Sequence, residues 1–309
     1  MTTTAKNMSR RTLLASAAAL PIAGAFSTPS LASAPMMGTK NALFHRIALG
    51  DFEVTTILAS TRNFPDPHNI FGLNASGEDF DAASDAANIP ADTVQFFFTP
   101  TVVNTGSELI LFDTGLSAKG TTAALAEAGY SPDQIDTVVI THMHGDHIGG
   151  LMAGDKPTYA NARYITGGAE FDGWGKTGNK TFENKMRPLA EKTTFIKGGA
   201  AVASGITGLD AFGHTGGHMT FMLESGGKQL LLGADFANHY VWSLAYPDWQ
   251  VKFDQDKELA VKTRRDILGM LAADRLPMIG YHMPWPALGY VETRGSGYHY
   301  VPHSYQMML

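Results

Sequence analysis

The stretch Thr141–Gly150, THMHGDHIGG, packs three histidines and an aspartate into six consecutive positions: His142, His144, Asp146 and His147. It follows "SPDQIDTVVI", which reads as a cap, a turn and a buried strand. Along a strand, alternate residues share a face and neighbours do not, so a strand alone cannot gather these four side chains. A tight loop just past the strand end can, and Gly145 supplies the conformational freedom. Imidazole nitrogen with carboxylate oxygen suits zinc and tolerates iron, cobalt or manganese. Two ligand sets would point two ways from such a loop, and each needs completion from elsewhere.

The chain offers three completions, each at the end of a predicted strand. "GHTGGH" (Gly213–His218) contains His214 and His218, "LLLGAD" delivers Asp235, and "MIGYHMP" delivers His282. An acidic side chain at the end of a buried strand is costly unless a cation or a partner compensates it. The constellation is therefore more specific than any one member.

In this order, His-x-His-x-Asp-His, Gly-His-Thr-x-Gly-His, a strand-end Asp and a strand-end His, the chain resembles the metallo-β-lactamase superfamily. The likeness runs from about Thr93 to the C-terminus and includes "LFDTG" (Leu111–Gly115). The resemblance implies an α/β fold, the αβ/βα four-layer sandwich, with a two-metal site on one edge. It implies that His142, His144 and His218 hold one metal and that Asp146, His147 and His282 hold the second. Asp235 would bridge them, and Asp235 and Asp146 would stand at the reacting centre. By the same resemblance His214 shapes the loop presenting His218, and Asp113 orients a ligand from behind. The cofactors implied are two divalent ions, with zinc favoured.

Asp at 235 and the absence of cysteine turn the reading away from β-lactam hydrolysis and towards thiolester hydrolases, quorum-quenching lactonases and the methyl parathion hydrolase family. The tail "HMPWPALGYVETRGSGYHYVPHSY" resembles the end of the last of these families. The resemblance implies a hydrolase in which two metals acidify a bridging water. The resulting hydroxide would cleave lactone or ester bonds and organophosphate triesters. The alternatives are a thiolester or β-lactam hydrolase, or an exported metal-binding protein without catalysis. Lactonases of the superfamily often carry a Tyr three residues after the bridging Asp; here Asn238 stands there, with His239 and Tyr240 next to it. The substrate pocket is expected to involve Phe97, Trp174 and Asn238, and to take a small apolar ester, lactone or phosphotriester.

The rest of the chain sets the frame. Of 309 residues, 44% are hydrophobic and 17% charged, an ordinary globular composition. A net charge of -6 without a long basic run gives no nucleic-acid footprint, so no nucleic-acid partner is expected. Residues 1–34 read as an export signal: Arg10 and Arg11 precede an apolar run from Leu13 to Ala25, which is too short for a stable membrane anchor. The paired arginines resemble the twin-arginine type, with cleavage after Ala32 and a periplasmic or secreted destination. Residues 35–309 are then a single hydrolase domain, for which the resembling families suggest a homodimer. Within it, Arg46–Leu58 reads as one strand and 93–115 as two strands around a turn at Asn104–Gly106. Thr61–Asp92 reads as a long loop with one helical turn, and Tyr159–Lys197 as irregular. A helix follows Asp256, with Leu259, Thr263, Ile267 and Met270 on one face.

Overall fold

The computed structural model describes Met36 and residues 38–304. The export signal and its cleavage point fall outside the described residues. Asn41–Leu309 is one compact unit, and the description below concerns it.

Its strands are β1 (Phe44–Leu49), β2 (Phe52–Ile57), β3 (Ser60–Pro65), β4 (Thr93–Phe98), β5 (Thr101–Asn104), β6 (Leu109–Phe112), β7 (Thr137–Ile140), the short pair β8 (Met152–Ala153) and β9 (Lys156–Pro157), β10 (Arg163–Gly167) and β11 (Thr193–Ile196). There follow β12 (Ala201–Ala203), β13 (Ile206–Asp210), β14 (Met219–Ser225), β15 (Lys228–Ala234), β16 (Met278–Gly280), β17 (Leu288–Arg294) and β18 (Gly297–Pro302). The helices are α1 (Gly77–Ala86), α2 (Ala118–Glu127), α3 (Gly145–Ile148), α4 (Gly168–Trp174), α5 (Lys180–Lys185) and α6 (Lys257–Asp274). One seven-stranded sheet runs β1-β2-β5-β6-β7-β10-β11, and the other takes β12 to β18 in chain order. Among the described residues no helix is long and apolar enough to cross a membrane.

The two-residue period of a strand explains the layers. In the first sheet Val103, Ile110, Phe112, Val139 and Ile165 face the second sheet, meeting Phe221, Leu223, Leu230 and Leu232 in one core. Their neighbours Val102, Leu111, Val138, Ile140 and Tyr164 face outward, onto Ala124 and Leu125 of α2 and Phe171 and Phe182 beyond. Both faces of the central strands are thus covered, which is why "TVVI" is an unbroken apolar run. On the outer side of the second sheet lies α6, and the result is the αβ/βα sandwich.

Several segments depart from the sequence reading. Arg46–Leu58 is a hairpin rather than one strand: Gly50, at φ 59°, turns the chain where a Cβ would lie 2.2 Å from the Ser225 carbonyl oxygen. The segment 93–115 holds three strands, with β4 paired to β3 outside the main sheets. Thr61–Asp92, expected as a long loop with one helical turn, contains most of β3 and a helix longer than that turn, α1, which Ser76 caps by accepting from the Asp79 N–H. Phe71 and Phe80 from this segment pack with Trp242, a long-range contact invisible to local pattern. Residues 159–197 contain β10 and β11, both parallel additions to the first sheet. Asp256 does cap α6 through the Leu259 N–H, but the buried stripe is Ala260, Arg264, Leu268 and Leu271. A buried arginine on that stripe breaks the apolar pattern and displaced the expected face by one residue.

Phe221 is fully buried between the sheets and packs on Phe112, with ring centroids 5.2 Å apart. Phe221→Ala is expected to cost about 3–5 kcal/mol. Urea denaturation should show a lower midpoint at unchanged slope. A loss well under 1 kcal/mol would mean that the two sheets do not share one core.

Candidate metal centre

The site is assembled from strand ends. Asp113 follows β6, His142 and His144 follow β7, Asp235 follows β15 and His282 follows β16, while His214 comes from the loop between β13 and β14. Because β6 runs parallel to β7, and β15 to β16, these C-terminal ends lie along a common edge. Asp113 (φ 60°) and Ala234 (φ 48°) hold left-handed backbone there, a conformation that costs most L residues about 1 kcal/mol. Gly150 lets the histidine loop press on the next strand end, since a Cβ would lie 2.0 Å from the Thr114 carbonyl oxygen. Both the N–H and the hydroxyl of Thr114 donate to the His147 carbonyl at 2.7 Å, which ties the loop down.

Two donor groups result, and they share one residue. The first is His142, His144, His214 and Asp235; the second is Asp146, His147, Asp235 and His282; within each, the donor atoms lie within 4.8 Å of one another. In the first, His144 Nδ1 is 3.0 Å from His142 Nε2 and 3.0 Å from His214 Nε2, and His214 Nε2 is 3.4 Å from Asp235 Oδ2. In the second, His282 Nε2 is 3.3 Å from Asp146 Oδ2 and 3.2 Å from Asp235 Oδ2. Ligands about 2.0–2.1 Å from a tetrahedral ion stand about 3.3 Å from each other, so both groups have the spacing a cation needs. Donor chemistry points the same way. His147 Nε2 and Asp235 Oδ1 are buried, 3.3 Å apart, and neither has a hydrogen-bond partner. Unpaired buried polar atoms are rare, and a divalent cation satisfies both.

Ring orientation is fixed from behind, which leaves each working nitrogen turned inward. His147 Nδ1 meets Asp113 Oδ2 at 2.8 Å, and the same carboxylate accepts from the Thr141 N–H and hydroxyl. His282 Nδ1 donates to the Phe97 carbonyl at 2.8 Å. His214 Nδ1 meets Asp254 Oδ1 at 2.8 Å, and Asp254 Oδ2 accepts from the fully buried Arg264 guanidinium. Asp254 and Arg264 were missed at the sequence level. Neither belongs to a short motif, and only folding brings Asp254 and α6 against the loop that carries His214. Tyr281, also missed, lies over His147 at 3.9 Å between centroids and donates to the Asp146 carbonyl.

Charge in the centre follows burial and neighbours. Burial alone would raise the Asp146 carboxyl, yet His147 and His282 beside it hold it at about 2. Asp235 is likewise pushed up by burial and held far below the usual carboxylate range by His282 and His147. Burial drives the His144 imidazole down to about 3, with His214 adding to the effect.

The two histidines of "GHTGGH" exchange the places expected for them. His214 joins the first donor group and His218 does not. Instead His218 Nδ1–H donates to the Ala211 carbonyl and its Nε2 accepts from the Asp235 N–H at 3.1 Å. Burial pushes its pKa down to about 3, keeping it neutral and able to accept. The physical reason is position: both rings are buried, but His218 immediately precedes β14 and its Nε2 is taken up by the Asp235 N–H, whereas the His214 Nε2 faces His144 and the Asp235 carboxylate.

A cavity of about 550 Å³ opens on the two groups, lined by Arg62, Phe64, Phe96, Phe98, Leu116, Lys185 and Phe253 together with Asp146, Asp235 and His282. The expected pocket residues need correction. Phe97 points to the opposite face of β4 from Phe96 and Phe98, as strand alternation requires, and contributes its carbonyl to His282 instead. Trp174 stands edge-on to His144, centroids 5.5 Å apart, and does not line the cavity. Asn238 is buried and donates to Asp235 Oδ2 at 3.0 Å, a support for the carboxylate rather than a wall. Neither neighbour replaces it in the cavity: His239 accepts from the Val241 and Trp242 N–H groups and stacks on the Trp242 ring, and Tyr240 packs against the hydrophobic core. A second cavity, about 610 Å³, lies among β1, β15 and the turn before β16, and none of the cluster residues lines it.

The exchange of the histidines is testable by metal content. His214→Ala should reduce bound zinc from two equivalents towards one, read by elemental analysis after dialysis. His218→Ala should retain more zinc but lose about 1–3 kcal/mol of stability through the stranded Asp235 N–H. The opposite pattern would restore His218 as the ligand.

Comparison with known proteins agrees with this fold. The fold is similar to that of AidC, a dizinc quorum-quenching lactonase solved with an N-hexanoyl-L-homoserine product (TM-score 0.79, 22% identity, covering 86% of this chain and 99% of that one). It is equally similar to AbOPH, a hydrolase in the β-lactamase superfamily (TM-score 0.80, 22% identity, the same coverage). At this identity the likeness establishes the fold. A local match, 43% identical over 49 residues, relates the chain to exodeoxyribonuclease WalJ of Streptococcus pneumoniae, but spans only 16% of this chain and 18% of that enzyme. The family model of the metallo-beta-lactamase superfamily matches residues 99–278, more than half of the sequence and every strand end described above except that of His282. The chain belongs to the metallo-beta-lactamase superfamily.

Proposed function

We propose that this protein is a binuclear metal-dependent hydrolase that cleaves lactone or ester bonds, with organophosphate triesters as further substrates. The observation that carries the reading is the shared carboxylate: Asp235 belongs to both donor groups, and its Oδ1 and the His147 Nε2 are buried without a hydrogen-bond partner. His142, His144, His214 and Asp235 would hold one ion, and Asp146, His147, Asp235 and His282 the other. Zinc suits the nitrogen–oxygen donor set, which contains no thiolate. Divalent ions there would supply Lewis acidity and bring the pKa of water towards neutrality.

The chain's own residues do the rest. Asp235 is ionised at neutral pH and sits between the two groups as a fixed anion, anchored by Asn238 Nδ2 and by His218 beneath its backbone. Phe64, Phe96, Phe98, Leu116 and Phe253 give the cavity an apolar wall that favours a substrate with a hydrocarbon body and displaces water from around it. Asp113, Asp254 and the Phe97 carbonyl hold three imidazoles in register through turnover. Hydrolysis then needs only water, whose oxygen attacks the carbonyl or phosphoryl centre while its proton passes to the departing alkoxide. No side chain of the centre is a Ser, Thr or Cys nucleophile. The likeness to a dizinc quorum-quenching lactonase supports a lactone as the first substrate to try.

Zinc-loaded protein should hydrolyse an acyl-homoserine lactone faster than a methyl parathion-type phosphotriester, with both rates abolished by a chelator and restored by zinc. A faster phosphotriester rate would reverse the order of substrates. No rate above the chelated control on either would refute the hydrolase reading and leave a metal-binding protein. We further propose export through the twin-arginine-type signal. Protein recovered from the periplasm should then have an N-terminus near Ser33, and accumulation of the full-length chain in the cytoplasm would count against it.

A further inference from the structure

Glu170 is 1% exposed and belongs to neither donor group. It lies on α4, in the turn after β10, and β10 runs parallel to β7 with Thr166 beside Ile140. That register brings Glu170 level with the histidine loop. Its Oε1 accepts from the Met143 N–H at 2.9 Å, between His142 and His144. Its Oε2 accepts from the Thr215 hydroxyl at 2.7 Å and the Gly217 N–H at 2.9 Å, in the loop that carries His214. One carboxylate thus ties the His142–His144 stretch to the loop that carries His214, and it bonds to neither the Asp235 nor the His282 segment.

The local sequence is shaped around this grip. A Cβ on Gly217 would lie 2.2 Å from the Glu170 nitrogen, and one on Gly167 would lie 3.0 Å from the Gly217 carbonyl oxygen. Two glycines therefore let the His214 loop and the start of α4 approach closely. Burial pushes the Glu170 carboxyl up, and the Thr215, Met143 and Gly217 donors oppose that. A buried carboxyl satisfied by three donors from two loops is an unusual investment for packing alone, since an apolar residue would avoid the desolvation cost.

We propose that Glu170 is a positioning residue that sets the separation of His142 and His144 from His214, and with it the affinity of the first metal position alone. The proposal rests on the binuclear reading above. His144 Nδ1 is 3.0 Å from both partner nitrogens, and release of either loop widens that spacing while the second group, held by Asp113 and the Phe97 carbonyl, keeps its own.

The test is a cobalt(II) titration of metal-free protein followed by visible absorption and calorimetry, with wild type, Glu170→Gln and Thr215→Val compared. Glu170→Gln places an amide where the donors converge, so the first position should weaken about ten- to a hundredfold while the second is unchanged. Thr215→Val removes one donor at nearly constant volume and should weaken the same position by less, roughly tenfold or under. Circular dichroism of the metal-free variants checks folding, and if Glu170→Gln does not fold, Thr215→Val carries the comparison. Two unchanged affinities in a folded variant, or equal weakening of both positions, would overturn the positioning role. Wild type binding fewer than two cobalt ions would instead refute the binuclear reading, so the two failures are distinct.

Discussion

A carboxylate with four imidazoles around it is the constraint on which the structure depends. Asp235 is 3% exposed, with His142, His147, His214 and His282 all within 3.9 Å. No hydrophobic term favours that arrangement, and burial of one ionised group and four ring nitrogens is costly unless charge and lone pairs are matched. The surrounding fold supplies the match in layers. Asn238 and His218 fix the carboxylate, while Asp113, Asp254 and the Phe97 carbonyl fix the rings. The left-handed backbone at Asp113 and Ala234 marks where strands bend to meet this demand.

The two sheets are best understood as the rigid support for that centre. Parallel pairs β6–β7 and β15–β16 put their C-terminal ends at one edge, one pair from each sheet. Their common core, with Phe112 against Phe221, is close-packed and so resists a shift of one edge against the other. Rigidity also explains the buried Arg264. It donates to the carbonyls of Phe236, Pro247 and Trp249 as well as to Asp254, so one guanidinium pins the loop after Asp235 and the carboxylate behind His214 together.

Much of the centre was legible in the sequence because its donor side chains cluster on short loops. "HMHGDH", the strand-end Asp235 and the strand-end His282 each carry a local signature, and "LFDTG" marks Asp113. What was not legible had no local trace. His214 and His218 lie four residues apart in one motif, and choosing between them requires knowing which ring faces His144 and which accepts from the Asp235 N–H. Phe97 was misassigned because three consecutive phenylalanines conceal which parity faces the cavity. Asp254, Arg264 and Glu170 act from elements distant in sequence, and an arginine on the buried stripe of α6 even disguised that helix's face.

The sequence by itself determined the donor chemistry, the succession of strand-end donors and the family to which the chain belongs. Those follow from residue types at short spacings, where a loop only a few residues long leaves little freedom. Tertiary structure alone decided which imidazoles converge, which carboxylate is shared and which aromatic faces line the cavity. These depend on distances between strands far apart in the chain, and a one-residue change of facing reverses every side chain on a strand. Local pattern names the donors; only packing brings six of them and Asp235 to ligand spacing in two groups.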